Sequence, residues 1–189
     1  MARTVFFTVR SGRADKALLC KVVKLGKNFA FVMLEDGTSD IFIPGRFTRG
    51  AMPGDKVLVE KFEHPRVEGS DEGEILAVLE EKNDLVGTVR RVEGMLKFVP
   101  DDCPAISMRM MRDCEGGAKD GDKVAVEILQ RGNRQEDHRV GVAMRFGSSD
   151  EAKRCAKALL YAQDIRSRFP DKVREEAKKL ENAEVTEAD

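Results

Sequence analysis

The sequence is poor in the residues that build metal centres and disulfide frameworks. Its 189 residues hold four cysteines and two histidines. Cys20, Cys103, Cys114 and Cys155 lie far apart and form no C-x-x-C pair, so with only His64 and His138 beside them no metal site is expected. No apolar run approaches the roughly 18 residues of a membrane-spanning helix. Met1–Arg10 is too short and too polar for a signal peptide, so the expectation is a cytoplasmic protein with reduced thiols and no membrane partner. An excess of one charge is missing as well. Against 33 Lys plus Arg stand 34 Asp plus Glu, a net charge of -1, and the total does not announce a nucleic-acid binder. Sixteen glycines and six prolines are too few for a collagen-like or disordered chain. What remains, 41% hydrophobic and 35% charged residues, can fill a core under a solvated surface, in one large domain or two small ones.

The near-neutral total hides a pattern. Residues 1–62 carry 11 basic and 6 acidic side chains, residues 63–84 carry 2 and 8, and residues 85–147 carry 11 and 10. A basic block is followed by an acidic strip, although any single charge run is most simply a solvated face.

The chain also repeats itself. Gly50–Glu60 (GAMPGDKVLVE) returns as Gly117–Glu127 (GAKDGDKVAVE), eight of eleven positions identical at an offset of 67. The same offset pairs Val22 with Val89, Phe31 with Phe98, Val32 with Val99 and Ile75 with Val142. A constant offset over such a span indicates two copies of one module. The shared Gly-Asp-Lys-Val reads as a turn into a strand, glycine taking the positive-φ position and aspartate capping the turn, rather than as a phosphate cradle.

Each copy reads as short strands. In the first, Leu19–Val23, Phe29–Leu34, Asp40–Pro44, Lys56–Phe62 and Glu74–Leu79 are separated by Gly26-Lys27-Asn28, Asp36-Gly37 and Pro53-Gly54-Asp55. The fold class expected is mainly β: two tandem five-stranded barrels of the OB type, with SH3-like barrels as the alternative. The domain expectation is 1–83 for the first module with its N-terminal extension, 84–147 for the second, 148–181 for a helical linker and 182–189 for an acidic tail. Ser148-Ser149-Asp150-Glu151 fits a capping box opening a helix with an apolar stripe at Ala152, Cys155, Ala156, Leu159 and Leu160. Pro170 suits the start of a second helix.

The candidate functional residues are aromatic and basic. Phe29 and Phe31 share one face of a strand, with Phe42 on its neighbour. If Ala30, Val32, Ile41 and Ile43 fill the barrel, the three rings stand outside, flanked by Lys24, Lys27, Arg46 and Arg49. Exposed aromatics among cations form a stacking platform for single-stranded nucleic acid. The alternative is that these rings are core. No catalytic constellation is visible: His64 and His138 have no nucleophile context and read as plain surface histidines, and no P-loop or G-x-G-x-x-G occurs.

At this point Lys27–Val32 resembles the K-G-F-G-F-V motif of cold-shock domains, and Asp40–Pro44 their second motif. The order F-x-F-V, D-I-F-I-P, G-A-M-x-G-D-x-V-x-V, then Gly73–Leu79, Val86-Gly87-Thr88, Phe98–Asp102 and Gly117–Glu127, is similar to the paired cold-shock domains of the ribonuclease R and ribonuclease II exoribonucleases. Phe169–Ala177 resembles the stretch leading into that family's catalytic domain. The resemblance spans about Lys16 to Leu180, and it implies an RNA-binding part of a 3′-to-5′ exoribonuclease. Asn28 and Ala30 depart from the family's glycines. The aspartates that hold magnesium in that family belong to its catalytic domain, where this sequence stops. The resemblance therefore implies no catalytic residue, metal or cofactor within the chain, which alone would not be an enzyme. Its expected partners are single-stranded RNA and a catalytic domain in cis, with the chain itself a monomer.

In the second copy the gapless offset sets Leu96 against Phe29 and Arg109 against Phe42, leaving Phe98 as the one platform ring. Arg90, Arg91, Lys97 and Arg109 are the candidates for phosphate contact there. Two further readings stay open, a stand-alone RNA chaperone or regulator and a protein-interaction module.

Overall fold

A period-two alternation of buried and exposed residues sets the inner face of most of the strands. The computed structural model describes residues 16–163. The N-terminal extension before Lys16, the second helix expected from Pro170, the Phe169–Ala177 stretch and the acidic tail lie outside the described residues.

Strands β1 (Leu18–Gly26), β2 (Phe29–Leu34), β3 (Asp40–Pro44), β4 (Lys56–Lys61) and β5 (Gly73–Glu80) form the first unit. Strands β6 (Asp84–Val92), β7 (Met95–Pro100), β8 (Met108–Met110), β9 (Asp122–Gln130) and β10 (Arg139–Ser148) form the second. The first sheet runs β3-β2-β1-β4-β5, and a parallel bridge between Phe42 and Glu72 brings its two edges together. The second is a closed barrel, β10-β8-β7-β6-β9, with β8 and β10 parallel. Both follow one circular order, first strand to second to third to fifth to fourth. That is the order of the OB barrel and settles the choice against SH3-like barrels.

Inside the first barrel lie Cys20, Val22, Ala30, Val32, Ile41, Ile43, Val57, Val59 and Ile75, all at most 1% exposed. The shared turn works the same way in both copies. Gly54 and Gly121 take φ of 94° and 85°, and their N–H groups donate to Val22 O and Val89 O at 2.8 and 2.9 Å. The following aspartates accept from the backbone N–H three residues back, Met52 to Asp55 at 2.8 Å and Lys119 to Asp122 at 2.7 Å.

The two barrels share one continuous apolar core and are joined by a clamp. The loop after β9 carries Arg131, whose guanidinium donates to both carboxylate oxygens of Asp55 at 2.6 and 3.0 Å and to Lys82 O at 2.9 Å. Gln135 Nε2 donates to Thr48 Oγ1 and Ala51 O, each at 3.1 Å. His138 Nδ1 accepts from Gly132 N–H at 2.9 Å. The proton must then sit on Nε2, which donates to Gly50 O at 2.8 Å. His138 is therefore not the surface histidine expected from its polar neighbourhood: it is fully buried between the barrels. Burial holds its imidazole pKa below the ordinary value, with the Gly50 hydrogen bond opposing in part and the Arg131 charge adding to the fall. Gly50 sits at φ 70°, and a side chain there would run into Gly132 O.

Helix α1 (Ala152–Ala162) follows β10, but not from a capping box. Strand β10 continues to Ser148, paired with Asp122, and the residue flanking the helix is Glu151 with no side-chain cap. Sheet pairing has displaced the helix start by three residues. The buried side also differs from the expected stripe. Ala158 is buried and Tyr161 meets Phe146 edge-on at 5.8 Å, while Leu159 is 58% exposed.

Candidate nucleic-acid interface

Phe29, Phe31 and Phe42 come together on the outside of the first barrel. Phe31 and Phe42 are paired across β2 and β3, as are Ala30 with Ile43 and Val32 with Ile41. Since directly paired residues share a face, burying Ala30, Val32, Ile41 and Ile43 turns all three rings outward. Phe29 and Phe42 stack at 5.9 Å with 25° between planes. Phe31 meets Phe29 edge-on at 5.7 Å and Phe42 at 5.5 Å. Each is half-buried, so the rings support one another and leave part of each face open.

Two of the expected cations lie next to this cluster, and a third is engaged with another ring. Lys24 is opposite Phe31 on β1, exposed Lys27 occupies the β1–β2 turn, and Arg46 lies over the Phe47 ring at 4.5 Å. None of the three forms an ion pair among the described residues. One contributor escaped the sequence reading. Gly26 is paired with Phe29, and a side chain at Gly26 would meet the Phe29 ring. A glycine ending a strand before an aromatic was the available signal.

The second barrel corrects the expectation for Phe98. It is 0% exposed, a core residue and not a platform ring. A β-bulge between Val22 and Lys24 adds one residue to β1 that β6 lacks. Val22 pairs with Val32, while Val89 pairs with Phe98. In space Phe98 therefore corresponds to Val32, and a one-residue slip reverses the face of every side chain in the strand. Gly87 lies beside the Phe98 ring, where a side chain would collide with it. In the first barrel the matching inward position is Cys20, opposite Leu34. A larger ring has been exchanged for a smaller neighbour, which keeps the core volume.

The same slip puts Met95, not Leu96, at the place of Phe29, and Lys97 at the place of Phe31. Arg109 remains the counterpart of Phe42, as the Lys97–Arg109 pairing requires. Arg90 lies opposite Lys97. Arg91 points its guanidinium back to Gly94 O at 3.2 Å, and its N–H donates to Asp120 at 2.8 Å.

Other titratable groups belong to the scaffold. Burial pushes the Cys20 thiol up to about 11 and raises Cys103. Burial alone would raise the Asp122 carboxyl, but the hydrogen bond from Arg145 at 2.7 Å, the Lys119 amide and the nearby charges leave it below its usual range.

A pair of OB barrels, the first with an outward aromatic cluster, defines the class. Residues 20–78 match the family model described as the Ribonuclease B OB domain, and bear out for the first barrel the family resemblance read from the sequence. No curated protein sequence matches the chain significantly. Among solved structures, apo ribonuclease R of Mycoplasma genitalium is similar at 22% identity and a TM-score of 0.68, over 86% of this chain and 26% of that one. The same enzyme in complex with ribose-methylated single-stranded RNA gives the same values. Yeast Ssd1, described as a pseudonuclease, is similar at 14% identity and a TM-score of 0.59, over 77% of this chain and 24% of that one. The chain thus spans about a quarter of the length of the solved structures it matches, and these likenesses carry the fold.

Proposed function

We propose that this chain binds single-stranded RNA and acts as the substrate-feeding part of a ribonuclease R-like 3′-to-5′ exoribonuclease, the chain itself having no nuclease activity. The observation that carries the reading is the Phe29–Phe31–Phe42 cluster, three mutually supported rings outside a barrel whose core is already full. The rings are half-buried against one another and are not part of that barrel's buried core. Lys24 and Lys27, with no ion pair among the described residues, add charge of the sign that a phosphate backbone needs. The likeness to a ribonuclease R structure that holds single-stranded RNA supports the choice of ligand.

The test is fluorescence anisotropy with a short single-stranded RNA. Phe31→Ala and Phe42→Ala should each weaken binding by about 1–3 kcal/mol, with the melting temperature little changed. Large losses of melting temperature at unaltered affinity would make the rings core and sink the reading. In parallel, labelled RNA incubated with the chain and magnesium should stay intact. Cleavage abolished by a point change within the chain would refute the non-catalytic part.

A further inference from the structure

On the second barrel, one row of outward positions is filled entirely by cations. Arg90 on β6 is paired with Lys97 on β7, Lys97 with Arg109 on β8, and Arg109 with Arg139 on β10. The inward neighbours Val89, Phe98, Met108 and Val140 are all buried, so the four side chains share the outer face. At about 4.8 Å per strand step, the row extends about 14 Å across the barrel.

Like charges placed directly opposite one another destabilise a sheet. Here three successive pairs do so, and no ion pair among the described residues relieves them. Arg139 is held instead by two carbonyls, Asp137 O at 2.8 Å and His138 O at 3.1 Å, which fix its position without neutralising it. A cavity of about 270 Å³ opens beside Arg109, lined also by Arg91 and Arg112 with Glu115 as its one acid. The same row in the first barrel is different in kind. It reads Lys24, Phe31, Phe42 and then, through the Phe42–Glu72 bridge, Glu72, which is buried and accepts from Arg66 N–H. Rings occupy its centre, and a carboxylate stands where the second barrel has Arg139.

We infer that Arg90, Lys97, Arg109 and Arg139 form a track for the sugar–phosphate backbone of a single RNA strand, gripping charge alone while the first barrel stacks bases. The inference rests on the RNA-binding reading and deepens it, assigning base stacking to the first barrel and a charge-only grip to the second, and adding Arg139, which sequence reasoning did not select. An extended polyanion is the occupant because the row is linear, spans four strands and carries no aromatic ring to stack a base.

The experiment measures anisotropy of the full chain with a labelled oligouridylate of about 12 nucleotides, within the site size of tandem OB folds, over a salt series of about 50 to 200 mM. Lys97→Gln with Arg109→Gln should flatten the dependence of log affinity on log salt by about 1.4, at about 0.7 per lost phosphate contact. Arg139→Gln should flatten it by about half as much, and Arg109→Lys should retain the wild-type slope. Phe31→Ala should lower affinity at every salt concentration and leave the slope unchanged. The melting temperature of the Lys97→Gln, Arg109→Gln variant should hold or rise as the repulsion is removed. If the wild type binds no RNA, the underlying reading falls. If it binds and the glutamine variants keep the full slope, the track alone is overturned. If oligoglutamate displaces the RNA as well as unlabelled oligouridylate does, the site belongs to an acidic protein partner and the assignment to RNA is overturned.

Discussion

Replacing Arg131 by methionine should loosen the two barrels from each other. Arg131 is 15% exposed, and the Asp55 carboxylate it grips in a bidentate pair is 0% exposed. Methionine fills much of the space of the arginine stem but leaves the buried Asp55 carboxylate without its guanidinium partner. Removing one partner of such a pair costs about 3–5 kcal/mol. Asp55 keeps the N–H groups of Met52 and Lys82 at 2.8 and 2.7 Å, which places the effect at the lower end, about 3 kcal/mol. For a chain of this size that corresponds to a fall of about 6–12 °C in melting temperature. Calorimetry should also show one transition in the wild type and a broader or divided one in the variant. Arg134→Met in the same loop is the control, because Arg134 and Asp137 are 78% and 50% exposed at 3.6 Å, and such a pair contributes under about 1 kcal/mol. In a double-mutant cycle, Asp55→Asn and Arg131→Met should be clearly less than additive. A melting shift for Arg131→Met no larger than that of the control, or strict additivity, would refute the clamp.

Phe98→Ala should destabilise by about 3–5 kcal/mol in chemical denaturation; a loss no larger than that of Phe31→Ala would mean the ring is not core. Gly50→Ala should cost clearly more than Gly117→Ala, since both have positive φ but only Gly50 has Gly132 O in the way and Gly117 faces open space. Equal costs would leave backbone strain alone at work. His138 is held neutral among Arg131, Asp55 and Asp137, its folded pKa below that of the unfolded chain. Its contribution to stability is therefore complete above the ordinary value of about 6.5 and is lost as pH falls below it, because the unfolded state then takes up the proton first. Melting temperature measured from pH 7.5 downward should fall through that window, and His138→Gln should flatten the dependence.

The first barrel was legible because its alternation is strong and its turns are chemically explicit. Phe29–Leu34 and Asp40–Pro44 match their strands end to end, and Lys56–Phe62 overruns by one residue. The outward clustering of Phe29, Phe31 and Phe42 followed from the same pattern, once Ile41 and Ile43 supplied an inward face. The second barrel was legible in its strands and not in its faces. A gapless offset sets Phe98 against Phe31, yet a single bulge residue near Val23 moves the register, and alternation then places the two rings on opposite sides of their sheets. The mid-strand Gly87 was the visible clue that a bulky neighbour points inward. His138 and the failed capping box share another cause. Both are decided by long-range partners, Gly50 for the histidine and Asp122 for Ser148, and no local pattern contains those residues.

Asp55 and Asp122 separate what the shared turn needs from what each barrel does with it. Both carboxylates satisfy the amide three residues back, and that role is met by one oxygen, Oδ2. The remaining acceptor capacity is spent differently. Asp122 takes Arg145 from the adjoining strand β10 and stays within its own barrel. Asp55 takes Lys82 from the connecting segment and Arg131 from the far barrel. The outward rows diverge in the same manner, aromatic in one barrel and cationic in the other, over cores that follow one strand order. A turn aspartate with acceptor capacity left over and an outward face away from the core are the places where two barrels of one strand order can differ without loss of fold. In this chain the first supplies the junction between the barrels, and the second supplies two surfaces of different chemistry.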